Sequence, residues 1–128
     1  MRSIRRDDVP PTVEGDGIEV RSTAIGGDQS VTFVRMAAGT DLRPLLKGLP
    51  YNFCPCPHWG YMLSGSLRMR TSEGDYTYRA GDAFFWAPGH LPEALEDCEY
   101  VDFSPSLQCN KVLEHMTAAG DDAGSQPA

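Results

Sequence analysis

The sequence predicts an all-β domain with one short C-terminal helix. Short runs rich in β-branched and aromatic residues carry that prediction, as does the alternation of apolar with polar side chains inside them. In addition, 13 glycines and 10 prolines punctuate the 128 residues as turns. A chain of this length fits a single domain.

The elements follow in order. Residues 1–11 and 120–128 (GDDAGSQPA) are polar, charged and rich in Gly and Pro, and are expected to be flexible tails around one domain spanning 12–119. Val31–Met36 reads as a strand. In Ser66–Thr71, Leu67 and Met69 alternate with Arg68 and Arg70, the pattern of a strand with one wet face. Asp75–Arg79 pairs with it through a Ser72-Glu73-Gly74 hairpin turn. Ala83–Ala87 (AFFWA) is a core strand between Gly-Asp and Pro-Gly-His, and Glu99–Phe103 closes the series. Ser104-Pro105 offers a helix N-cap and first-turn proline. Leu107, Val112, Leu113 and Met116 then fall on one face, and Gly120 supplies a stop.

Charge and hydropathy exclude several partners. Lys+Arg number 11 against 18 Asp+Glu, a net charge of −7, so neither nucleic acid nor an anionic membrane is expected as partner. No apolar run approaches the roughly 20 residues of a membrane span. Arg2, Arg5 and Arg6 precede no apolar stretch, so no signal peptide is expected, and the expected location is cytoplasmic. There the cysteines stay reduced. Cys98 and Cys109 stand alone, as small buried apolar residues do.

Cys54-Pro55-Cys56-Pro57-His58 differs from these. Each proline drives the residue before it into an extended conformation. In a β-strand, positions 54, 56 and 58 share one face, and two thiols and an imidazole converge. In a polyproline II segment that convergence fails, and the cysteines and histidine are then ordinary buried groups. Cys and His donors suit tetrahedral Zn²⁺, with Cu(I) and Fe(II) as alternatives. A second candidate, His90, follows the Pro88-Gly89 turn, with Glu93 beyond it as a ligand or general base. Gly60 shares the parity of His58, which leaves space for a ligand or else marks a bend. His115, in the helix, stays outside the site.

These two segments resemble the two sequence motifs of the cupin superfamily, small β-barrels of jelly-roll type. With Gly65 of Tyr61-Met62-Leu63-Ser64-Gly65 on the glycine of the first motif, His58 falls at the glutamate position. Cys54 and Asn52 then fall at the two histidine positions. Gly81-Asp82 through Pro88-Gly89 looks like the second motif, whose histidine falls on Pro92, with His90 two residues earlier. The likeness covers about residues 30 to 104, and CPHWGYMLSG and AGDAFFWAPGH carry it most closely. It implies a metal inside the barrel held by residues of both motifs, and the departures from those motifs favour a thiolate-bearing site of Cys56 and His58, with Cys54 and His90 as further ligands. It also implies a homodimer.

Three functions follow. The first is a metal-dependent enzyme acting on a small organic molecule, by zinc-assisted hydrolysis, lyase or isomerase chemistry in preference to iron oxygenase chemistry, with Glu93 or His90 moving protons. The second is a non-catalytic module that senses a metal or a small ligand. The third is a thiol redox pair of Cys54 and Cys56, for which two extended residues on one strand face are poorly placed.

Overall fold

The computed structural model describes residues 1–125. Its strands are β1 (Val13–Gly15), β2 (Ile18–Gly26), β3 (Gln29–Met36), β4 (His58–Ser64), β5 (Ser66–Thr71), β6 (Gly74–Arg79), β7 (Ala83–Trp86), β8 (His90–Ala94) and β9 (Cys98–Pro105). Two helices, α1 (Arg43–Leu46) and α2 (Ser106–Ser125), complete the regular structure. The strands form a six-stranded sheet in the order β1-β2-β3-β9-β4-β7 and a three-stranded sheet in the order β6-β5-β8. All pairings are antiparallel. The all-β architecture with a C-terminal helix is as the sequence predicts.

Alternation builds the core. On β9, Cys98, Tyr100, Asp102 and Ser104 are buried, and on β7 Phe84 and Trp86 are buried between exposed Ala83 and Phe85. Met62 and Tyr100 from the larger sheet meet Leu67, Met69, Leu91 and Ala94 from the smaller one in a single apolar cluster. The chain passes between the sheets at Gly65, whose φ is +71°. A Cβ there would also strike the backbone of Asp97 and Cys98, so only glycine serves. Leu42 and Leu46 around α1, with Cys109, Val112, Leu113 and Met116 of α2, join the same cluster and fill the opening between the sheets.

Several details differ from the sequence expectation. Part of the first eleven residues packs on the domain: Arg6–Asp8 form a 3₁₀ turn, Val9 is buried, and Arg21 donates to the Val9 carbonyl at 2.8 Å. Pro105 ends β9 instead of opening the helix. The helix does not stop at Gly120 but runs on to Ser125. Glycine inside a helix costs only about 1 kcal/mol, and Gly120 sits close over Leu45. Residues 126–128 of the expected tail lie outside the described residues.

Gly60 is explained by packing, not by room for a ligand. A Cβ at this position would collide with the Val101 carbonyl and the Phe84 ring. Phe84 in turn stacks on Trp86 with ring centroids 3.6 Å apart. Gly60→Ala therefore overpacks the inner face of the sheet and is expected to lower unfolding stability by about 1–3 kcal/mol in a denaturant titration.

Candidate metal centre

Cys54 precedes β4, His58 opens it, and His90 opens β8 in the other sheet. A backbone bridge ties the first of these to the last. The Cys54 N–H donates to the His90 carbonyl at 2.8 Å, and the Gly89 N–H donates to the Cys54 carbonyl at 2.8 Å. One donor atom from each of Cys54, His58 and His90 falls in a group whose members all lie within 4.8 Å of one another. The Cys54 Sγ to His58 Nε2 distance is 3.6 Å. Two such ligands on a tetrahedral zinc, with Zn–S about 2.3 Å and Zn–N about 2.0–2.1 Å, stand about 3.6 Å apart.

The remaining nitrogen of each imidazole is already engaged. His90 Nδ1 lies 2.7 Å from the Ala87 carbonyl, which can only accept. A proton is therefore on Nδ1, and Nε2 is the nitrogen left to face the site. His58 Nδ1 faces Ser104 Oγ and, at 3.5 Å, Asp102 Oδ1. Ser104 Oγ donates to Asp102 at 3.1 Å, so it accepts from His58. Register places these groups together: Trp59 pairs with Phe103 and Gly60 with Asp102, which sets His58 beside Ser104. A carboxylate behind a histidine that presents its other nitrogen to a metal is the usual outer shell of a metal site.

Electrostatics agree. Burial pushes the Cys54 thiol up, but hydrogen bonds and positive charge from His58 and His90 outweigh it and bring it down to about 6. Burial also opposes charge on His58, yet Asp102, by its charge and its hydrogen bond, together with Cys54, lifts it to about 10. Metal-free, the pair is a thiolate facing an imidazolium.

Two expected site residues lie elsewhere. Cys56 is fully buried but stands outside the group of three, its Sγ 3.5 Å from the Pro57 carbonyl. A bend at Cys56 interrupts the extended run, so residues 54 and 58 converge and 56 does not. Burial, and then the charge on Cys54, raise its thiol to about 12, and a neutral thiol is a poor ligand. Glu93 lies three residues along β8 from His90, which sets it on the opposite face. Its carboxylate pairs with Arg70 at 2.7 Å. Of the other positions aligned above, Asn52 accepts from the Gly48 N–H, and Pro92 lines the cavity beside His90. His115 donates from Nε2 to the Lys47 carbonyl at 2.7 Å, away from the site. The sequence reading gives Asp102 no role and takes Ser104 as a helix N-cap, whereas both lie within β9. Their parity with inward-facing Tyr100 was the available signal.

Comparison with known proteins bears on the fold. No protein-family model matches the sequence, and no curated protein matches it. Among solved structures, the chain is similar to KdgF from Halomonas sp. at 23% identity, with 79% of this chain and 92% of that chain covered and a TM-score of 0.57. It is also similar to an RmlC-like cupin from Shewanella frigidimarina at 14% identity, covering 77% of this chain and 86% of that one with a TM-score of 0.57. Ectoine synthase from P. lautus matches at 13% identity, over 83% of this chain and 78% of that chain, with a TM-score of 0.60. This chain has the cupin fold. In this chain, Cys54 and His58 from the first of the two segments and His90 from the second come together, with Cys54 and His58 at the positions the sequence resemblance aligned with a histidine and the glutamate.

Three expectations test the centre. Alanine at Cys54, His58 or His90 should remove most bound metal, measured per chain by elemental analysis, whereas Cys56→Ala and His115→Ala should leave it. Asp102→Asn should weaken metal affinity by about 10- to 100-fold in a chelator competition. In the metal-free protein, thiolate absorbance in the ultraviolet should appear as pH rises through about 6, and Cys54→Ser should abolish it. Because this thiol lies below its ordinary 9.0, the stability it contributes is complete above that value and is lost as pH falls through about 6.

Proposed function

We propose that this cupin holds a divalent metal, zinc in the first instance, on Cys54, His58 and His90, and acts as a metal-dependent enzyme on a small organic molecule. The observation that carries the reading is the donor set itself. Two imidazoles each have one nitrogen fixed by a hydrogen bond, and both lie within reach of a buried thiolate, His58 Nε2 at 3.6 Å and His90 in the same group of donor atoms. Three protein ligands leave a fourth position for a substrate, as catalytic zinc sites do. A zinc ion there supplies Lewis acidity towards a carbonyl oxygen. The chain's own residues do the rest. Asp102 and Ser104 orient His58, the Cys54–His90 bridge sets the spacing of the two motif segments, and the apolar wall excludes water. Ectoine synthase and a polyketide cyclase from Streptomyces resistomycificus, the latter 19% identical with a TM-score of 0.57, show by their names that enzymes are built on this fold. Fold alone does not transfer their reactions.

One observation favours a second reading, a non-catalytic module that senses a metal or a small ligand. Glu93 points away from the site, and the cavity-lining carboxylate, Asp102, is committed to Ser104 and His58. No uncommitted carboxylate lines the cavity among the described residues.

The homodimer and the cytoplasmic location belong to this proposal. Trp59, Tyr61, Phe85 and Phe103 stand 48%, 45%, 53% and 39% exposed on the outer face of β4, β7 and β9. Trp59 pairs in register with both Phe85 and Phe103, so these rings form one patch. Aromatic side chains bury about 150–250 Å² each. Two such patches face to face, with their rims, come within reach of the roughly 1,000 Å² that a specific interface needs. The four cysteines are unpaired, as in a reducing compartment. Light scattering should report a dimer, and Trp59→Arg should give a monomer that keeps its metal.

Elemental analysis of protein purified without chelator tests the bound metal on which the proposal rests. About one zinc per chain supports the proposal and directs assays to hydrolase, lyase and isomerase substrates. Iron shifts the reaction to oxygen chemistry. No metal, even after anaerobic reconstitution, overturns it.

A further inference from the structure

The donor group opens on a cavity of about 70 Å³ lined by Cys54, His58 and His90 on one side and by apolar side chains on the other. Four of those lining residues, Cys109, Val112, Leu113 and Met116, come from α2, and each is buried. The helix is anchored over this space. His115 donates to the Lys47 carbonyl at 2.7 Å, and Cys109 Sγ lies 3.8 Å from Thr32 Oγ1 on β3. An apolar cavity of about 150 Å³ takes up benzene. This one is roughly half that size, which allows about three or four non-hydrogen atoms.

Charge narrows the class further. A divalent ion with the Cys54 thiolate and the buried Asp102 carboxylate sums to zero, so every negative charge a ligand brings into this low-dielectric space goes unbalanced, at a cost that rises steeply from a monoanion to a polyanion.

We infer that the open position admits only a compact ligand, neutral or singly charged, of about four non-hydrogen atoms with one donor head and a short apolar end, and that α2 sets this limit. The inference rests on the metal reading above. Acetate fits the class. Benzoate has the same head and is too large, and phosphate is compact but carries too much charge.

The test uses the cobalt(II)-substituted full chain, with visible absorption following titrations of acetate, butyrate, benzoate and phosphate. Acetate should perturb the cobalt bands, and benzoate and phosphate should bind at least tenfold more weakly. Met116→Ala should strengthen benzoate binding at least tenfold while moving acetate by no more than about twofold. Val112→Ala, a smaller deletion, should do the same for butyrate should the first variant fold poorly. Benzoate binding as tightly as acetate in the unaltered protein would overturn the size limit, and phosphate binding as tightly would overturn the charge limit. Cobalt bands unmoved by every ligand would show that no open position exists. A protein that takes up no cobalt would fail differently: the metal reading itself would fall.

Discussion

The backbone bridge between Cys54 and His90 is the constraint on which the site depends. The two residues lie in different segments, and Pro55 and Pro57, which follow Cys54, have no N–H to donate to a ladder. Without the paired amides, nothing local would hold Cys54 within reach of His90. With them, the start of β8 and the approach to β4 become a short piece of sheet, and both side chains enter the barrel together. His58 is then placed by a second ladder, that of β4 with β9. The donor set is therefore assembled by main-chain hydrogen bonds of both sheets.

A buried carboxylate is the main cost of this arrangement. Asp102 is 3% exposed and would lose several kcal/mol of hydration if it stood alone. It is compensated by the Ser104 hydroxyl and by His58, and that compensation fixes the His58 ring in one orientation. Gly60 contributes from two residues along β4, on the same face as His58. By admitting Phe84 against the sheet, it lets Phe84 and Trp86 stack into a wall whose Trp86 ring lies 6.2 Å from the His58 ring and 6.1 Å from the His90 ring. Polar and aromatic packing thus converge on the same two imidazoles.

Much of this was legible in the sequence, and the exceptions have physical causes. Ser66–Thr71 alternates cleanly and coincides with β5, and AFFWA and EYVDF mark β7 and β9. HLPEA does not alternate and carries a proline. It becomes β8 only because β5 offers it a partner, so it reads as a turn when taken alone. Cys54, His58 and His90 were legible because cysteine and histidine in a fixed spacing are chemically unusual. Cys56 was included on the assumption of an uninterrupted strand, which the bend between two prolines breaks. Glu93 was weighed as a loop residue. Once its segment is a strand, an offset of three from His90 places it outside. Asp102 had no motif to announce it, since its role comes from register with a strand forty residues earlier.

The same energetics decide whether α2 is a wall or a gate. Swinging the helix away would expose Val112, Leu113 and Met116, each at most 8% exposed. Full exposure of such a side chain costs about 1.5–3 kcal/mol, so three of them cost on the order of 5 kcal/mol. At 1.4 kcal/mol per tenfold change, that holds an open form below about one molecule in a thousand. The His115 hydrogen bond to Lys47 adds to this barrier. A substrate that needed the helix displaced would lose the same factor from its apparent affinity. A compact ligand that fits beneath the closed helix loses nothing. The helix that completes the hydrophobic core is, for that reason, also the element that sizes the site.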